Sequence, residues 1–281
     1  MIEPVDTEFD LDAYLRRLGY GAPLRTDLAT LTALHRAHLD AIPFENLEIQ
    51  MGGAIRLDLA TLQAKMIARH RGGYCFEQNT LFAAALRAAG YVPLTCEARV
   101  RQGSGSALRP RTHMVLLVPC QERMWLADVG FGGDGILEPL TLDGTPVDQA
   151  GHTYRIVSNG TLHLLQRAAG AGWEDLYAFL PEPVHPIDFE VGNWFTSTHP
   201  ESPFVKNVTA QRLTAGARHI VRNLTYTIMR GGTVQTREIT RAELVPLLRV
   251  TFGLDIRDDV SFRALDGDSQ AERLSQPSRR L

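Results

Sequence analysis

The chain has 281 residues, with 29 Lys and Arg against 32 Asp and Glu, for a net charge of −3. That length suits about two domains, or one with an appendage, and buries roughly three-quarters of the unfolded surface, so neither disulfides nor a metal is needed for folding. The near balance of charge argues against a dedicated nucleic-acid binder, and no apolar run approaches the ~20 residues that span a bilayer.

In chain order, the first residues, Met1-Ile2-Glu3-Pro4-Val5-Asp6, are acidic where a signal peptide is basic and then apolar. With three cysteines, Cys75, Cys96 and Cys120, too few for a paired framework, this predicts a soluble cytoplasmic protein with free thiols. Thr26 or Asp27 can cap a helix whose Leu28, Leu31, His35 and His38 share a face and which Pro43 ends. A second helix is predicted from Asp58, with Leu59, Leu62, Met66 and His70 at helical spacing, stopping at Gly72-Gly73. A third begins beside Cys75 and runs through Leu86 towards Gly90; it has no wide polar face and is expected to be buried.

After Gly90 the texture changes to short apolar runs, at residues 94–101, 113–118 and 124–129, which read as strands. Asn159-Gly160 between residues 154–158 and 161–166 predicts a type I′ hairpin, and Gly231-Gly232 plays a similar part between 224–230 and 233–239. The proline-dense stretch 181–203 reads as a connector. Thr240 and Glu243 form a capping box for a last helix, which Pro246 should kink or delay. The tail from 266 to 280 is polar and aperiodic and is expected to be mobile.

The most informative stretch is Arg71-Gly72-Gly73-Tyr74-Cys75-Phe76-Glu77-Gln78-Asn79. Two glycines before a cysteine that opens a helix put its thiol where free N–H groups and the helix dipole favour a thiolate. Taken alone, a cysteine here reads more readily as a buried structural residue. Two later strands supply partners: His113 begins one and Asp128 ends the next, and an antiparallel hairpin brings both to the same end. A carboxylate between Ala127 and Val129 needs a partner to offset burial. His113 could also be a satisfied core histidine and Asp128 a turn cap; jointly, Cys, His and Asp suit a nucleophile, its base and the base's orienting group.

At these residues the sequence resembles the arylamine N-acetyltransferases. The nonapeptide matches the family's Arg-Gly-Gly-aromatic-Cys-x-Glu-x-Asn signature, and Arg111-Thr112-His113 and Asp128-Val129-Gly130-Phe131-Gly132 match two further blocks. Ile42-Pro43-Phe44-Glu45-Asn46-Leu47 and Trp194-Phe195-Thr196-Ser197-Thr198-His199-Pro200 also resemble family motifs. The resemblance implies an α+β protein with a cysteine-protease-like core: a helical domain over residues 1–90, a β-barrel over 91–192 and an α/β lid over 193–281. It implies Cys75, His113 and Asp128 as the catalytic triad, acetyl-CoA as co-substrate, an arylamine or hydrazine as acceptor, and a part in xenobiotic metabolism. Phe44 and Phe131 are then expected in the acceptor pocket, with ordinary core aromatics as the alternative; Thr112, Gly132 and Phe204 are expected near CoA. Glu45 and Arg71 are expected to pair. No metal, nucleic acid or membrane partner is expected, and the oligomeric state is left open.

Other signals carry less. Gly130-Phe131-Gly132-Gly133-Asp134-Gly135 fits a dinucleotide fingerprint in letters, but loop and turn residues follow where a helix must open. Sequons at Asn159, Asn207 and Asn223 read as incidental, and the stretch from Ile67 to Arg71 as a solvated basic helix end. Two rival readings remain at this point: a Cys-His-Asp thiol hydrolase or amidase, with water as second nucleophile, and a non-catalytic CoA-binding protein.

Overall fold

The computed structural model describes residues 9–104, 107–214 and 216–266, so the tail beyond Asp266 lies outside the described residues. Helix α1 (Leu11–Leu18) has no counterpart in the sequence reading, although both its ends are marked. The Asp10 carboxylate accepts from the Ala13 N–H at 2.8 Å, and Gly19 closes the helix at φ +66°. Helix α2 (Leu28–Ala41) starts as expected under the Asp27 carboxylate, which accepts from the Thr30 N–H, and ends just before Pro43. Strand β1 (Phe44–Glu45) and helix α3 (Leu47–Gln50) follow. The helix expected after Asp58 begins there as α4 (Leu59–Leu62), then widens into a π-helix (Gln63–Ala68) and stops short of His70, whose φ is +48°. The wider turn accommodates Lys65 and Met66 inside together. Helix α5 (Cys75–Ala88) opens at the cysteine and is buried around most of its circumference.

The middle of the chain is antiparallel: β2 (Leu94–Val100), β3 (His113–Cys120), β4 (Arg123–Ala127), β5 (Leu140–Thr141), β6 (Val147–Gln149), β7 (His152–Asn159), β8 (Leu162–Ala169) and β9 (Gly172–Phe179). Among the described residues these form one eight-stranded sheet in the order β5-β4-β3-β2-β9-β8-β7-β6, and β5 returns against β7, so the sheet nearly closes into a barrel. Strand β3 is its shared wall. Met114, Leu116, Val118 and Cys120 face a core built with the helices, whereas Val115 and Leu117 face the barrel interior. Alternation with a period of two sorts one strand between two cores. The predicted hairpin at Asn159-Gly160 exists but is shifted: Asn159 pairs with Leu162, leaving Gly160 and Thr161 as the loop. Only Gly160 has positive φ, at +64°, which fits a type II′ turn and not type I′.

The stretch expected to be a connector, 181–203, instead contains helix α6 (Pro186–Thr198), so the expected boundary at 192 falls inside a helix. The prolines punctuate it without interrupting it. Pro186 is the first helical residue, where a missing N–H costs nothing, and Asp188 accepts from the His185 N–H at 2.9 Å. After α7 (Pro203–Lys206) come β10 (Thr209–Thr214), β11 (Ala217–Arg222), β12 (Thr225–Arg230) and β13 (Thr233–Glu238). Gly231 and Gly232, both at positive φ, join the last two as expected. The capping box opens α8 (Arg241–Val250), which runs through Pro246 without a delayed start; α9 (Arg263–Asp266) follows. This second sheet has the order β1-β10-β11-β12-β13, so its first strand comes from the N-terminal part of the chain. A third core, with Val208, Val221, Leu244, Leu248 and Phe252, lies between that sheet and α8.

Candidate active site

Gly72 and Gly73 precede Cys75 because the backbone is crowded there: a Cβ on Gly72 would lie 2.0 Å from the Pro43 carbonyl oxygen, and one on Gly73 would meet the Glu77 side chain at 2.8 Å. The following turn is held by Glu77, whose carboxylate accepts from the Tyr74 N–H at 3.1 Å and pairs with Lys65 Nζ at 2.6 Å, both charges buried. Arg71 and Glu45 form the expected ion pair at 2.8 Å; Arg71 is therefore buried, not part of a solvated helix end. The result is a helix N-terminus with Cys75 as its first residue. Its S–H donates to the Thr112 carbonyl oxygen at 3.5 Å.

His113 and Asp128 meet at the end of the β3–β4 hairpin, with His113 Nε2 2.7 Å from Asp128 Oδ2 and both side chains buried. The Cys75 sulfur acts on the same imidazole and favours its charged form. With Nε2 committed to the carboxylate, Nδ1 is the ring nitrogen left for the thiol. Burial opposes the imidazolium, but Asp128 and the Cys75 sulfur outweigh it and push His113 up to about 10. Burial likewise opposes the Asp128 carboxylate, and the His113 ring, Asn79 and the Gly130 N–H override it, so Asp128 sits below the usual carboxylate range. The chemistry this permits is specific: a buried carboxylate fixes the ring and stabilises its charged form as the thiol gives up its proton.

Side chains that sequence reasoning did not single out hold this arrangement. Asn79, one turn after Cys75, donates to Asp128 Oδ1 at 2.9 Å and to the Met114 carbonyl at 2.7 Å, and accepts from the Val129 N–H at 3.1 Å. Its place in the cysteine signature was the available signal. His35 accepts from the Asp128 N–H at 3.1 Å. His38 bonds Tyr14 at 2.7 Å and Gln78 at 2.6 Å, and Gln78 donates to the Pro43 and Gly73 carbonyls at 2.8 and 3.2 Å. A buried polar chain thus runs from α1 to the loop before the cysteine. Burial pushes His35 down to about 4 and His38 to about 3, so both are neutral at pH 7.

Of the residues expected to bind substrate, Phe44, Phe131 and Gly132 line one cavity together with Asp128 and Val129. The Phe131 ring lies 5.3 Å from the His113 ring. Gly132, at φ +69°, lies against Phe44: a Cβ there would be 3.1 Å from the ring. Phe204 packs on Phe44 at 5.9 Å and on Tyr74 at 5.5 Å. Its backbone is held by Asn46 and Gln50, whose amides donate to the Phe204 carbonyl at 2.7 and 2.8 Å. Thr112 meets Cys75 through its backbone carbonyl. Among the described residues no His, Cys, Asp and Glu side chains group as a metal would require, and no helix is long and apolar enough to cross a membrane.

A cysteine at a helix start beside a buried histidine–aspartate pair at a barrel rim is the kind of site a thiol-dependent enzyme needs, and the comparisons with known proteins narrow the class. The N-acetyltransferase family profile matches residues 27–260. The chain is 38% identical to the arylamine N-acetyltransferase of Mycolicibacterium smegmatis over 256 residues, 89% of this chain and 93% of that protein. It is 35% identical to the arylamine N-acetyltransferase / N-hydroxyarylamine O-acetyltransferase of Salmonella typhimurium over 253 residues, 88% and 90% of the two chains. The structure of the Mycobacterium marinum arylamine N-acetyltransferase in complex with CoA superposes with a TM-score of 0.83 at 35% identity, covering 88% of this chain and 93% of that one. The chain belongs to the arylamine N-acetyltransferase family and is an acyltransferase.

Proposed function

We propose that the protein transfers the acetyl group of acetyl-CoA to arylamines and hydrazines, and to the oxygen of arylhydroxylamines, in two steps through an acetyl-Cys75 thioester. The observation that carries this reading is the imidazole of His113 bonded to Asp128 at 2.7 Å, with the Cys75 thiol held at the carbonyl of the preceding residue, Thr112. In the first step the Cys75 thiolate, whose proton rests on His113, attacks the thioester carbonyl of acetyl-CoA, and the carbon–sulfur bond to CoA breaks; the departing CoA thiolate takes the proton from the imidazolium. Donor and intermediate are both thioesters, so this exchange is close to balanced. In the second step the amine attacks the acetyl-cysteine, His113 removes the amine proton, and the tetrahedral intermediate expels the Cys75 thiolate. Formation of an amide from a thioester drives the sequence forward.

First-turn N–H groups of α5, which a helix leaves without internal partners, are suited to stabilise the oxyanion in both steps. Phe44 and Phe131 give the acceptor ring apolar walls, and Gly132, Thr112 and Phe204 border the path that CoA takes to the sulfur. The CoA complex of the M. marinum relative supports acetyl-CoA as donor, and the O-acetyltransferase activity named for the S. typhimurium relative supports an oxygen acceptor. Intact-protein mass spectrometry after incubation with acetyl-CoA, without amine, should show one acetyl group on Cys75 that an added arylamine removes. Turnover by a protein whose Cys75 stays unmodified would refute the scheme.

A further inference from the structure

We propose that His35 is a positioning residue: its ring clamps both ends of the loop from Asp128 to Leu137 and thereby sets where the Asp128 carboxylate meets His113. The proposal rests on the reading of Cys75, His113 and Asp128 as the reacting centre. His35 lies on α2, fully buried, with its ring edge-on to Phe82 at 5.8 Å. The Leu137 carbonyl can only accept, so the 3.0 Å contact from His35 Nδ1 places a proton on that nitrogen. Nε2 is then a bare lone pair, and it accepts the Asp128 N–H at 3.1 Å. Only one tautomer of the neutral ring satisfies both bonds, since an imidazolium sets N–H against N–H. Burial, which pushes His35 down to about 4, keeps the ring in that neutral form at pH 7.

The two bonds are not equivalent. The Leu137 end is held a second time, by Gln149, which accepts from the Leu137 N–H at 2.7 Å. At the other end, Asn79 and the Gly130 N–H fix the carboxylate relative to α5 and to its own turn, whereas His35 ties the Asp128 backbone to α2. Without the ring, the buried Asp128 N–H is orphaned and the residue moves towards another acceptor, at the expense of the 2.7 Å bond to His113. Between the clamped ends run Phe131, Gly132 and Gly133, so the same ring seats the wall of the cavity.

The test compares wild type with His35→Leu, which fills the space without either bond, and with His35→Gln, whose amide can donate to Leu137 and accept from Asp128. Single-turnover CoA release should fall about tenfold or more in His35→Leu and recover to within about threefold of wild type in His35→Gln. The pH profile of Cys75 alkylation should move to higher pH in the leucine variant and return in the glutamine variant. A folded His35→Leu with the wild-type alkylation profile, or a glutamine variant no better than the leucine one, overturns the proposal. Should His35→Leu fail to fold, nitrogen-15 NMR of histidine-labelled wild type decides: a proton on Nδ1 and a bare Nε2 at pH 7 support it, and the opposite tautomer or an imidazolium overturns it. A wild-type protein that does not acetylate Cys75 would instead overturn the reading of the reacting centre.

Discussion

Replacing Asp128 by Asn removes the charge that holds His113 in its imidazolium form while keeping the shape of the site. Acetyl transfer should then fall by roughly 10²–10⁴-fold, as expected when a base loses its orienting carboxylate. The change should also flatten the alkaline side of the stability profile. His113 titrates near 10 in the fold against an ordinary 6.5, so its stabilisation is complete below about pH 6.5 and is lost as pH rises through about 10. His35, held down to about 4, acts on the acid side: its contribution is present above about 6.5 and is lost as pH falls towards 4. Urea midpoints from pH 4 to 10 should therefore fall at both ends in wild type, and only the alkaline fall should shrink in Asp128→Asn. Cys75, His113 and Asp128, the proposed reacting centre, could be picked out in the sequence because each sits in a compact block with glycine or strand punctuation. His35 was not, because a side chain bonding backbone 93 positions away leaves no local pattern.

The π-helix after α4 shows what periodicity alone misses. Leu59, Leu62 and Met66 fit a regular helix, and nothing in that spacing announces the wider turn that accommodates Lys65 beside Met66 in the interior, where it meets Glu77. Lys65→Met should leave the buried Glu77 charge unpaired and destabilise the protein by about 3–5 kcal/mol, because the loss of one partner exposes the desolvation penalty of the other. Adding Glu77→Gln, which keeps an acceptor for the Tyr74 N–H, should restore most of that loss in chemical denaturation; an equally unstable double variant would show that Lys65 acts through packing. Helix α6 was hidden for a different reason: prolines flank it closely enough to look like a linker, although Pro186 occupies a helix-starting position. The two glycine hairpins were readable to within one residue, since register, not the presence of the turn, is what Gly160 leaves open.

Across the whole molecule, local pattern gave helices first and strands afterwards, while the near-closed barrel and the second sheet came into view only through the family resemblance. Their pairings join residues far apart in the chain, and no short-range periodicity records them. The strongest case is β1, which pairs with β10: the Thr209 N–H donates to Asn46 Oδ1 across 163 positions at 2.7 Å. Contacts of such separation form late, after the loop-closure entropy is met. Refolding from urea should regain far-ultraviolet helix signal before it regains Cys75 acetylation, and simultaneous recovery would contradict this order. The same strand has a consequence for the chain as it is made. At about 5–20 residues per second, roughly 8–30 s separate the synthesis of Asn46 from that of Thr209. During that interval a nascent polypeptide already carries Cys75, the proposed nucleophile, while the segment that pairs with Phe44 does not yet exist, so that sulfur is born before its shelter.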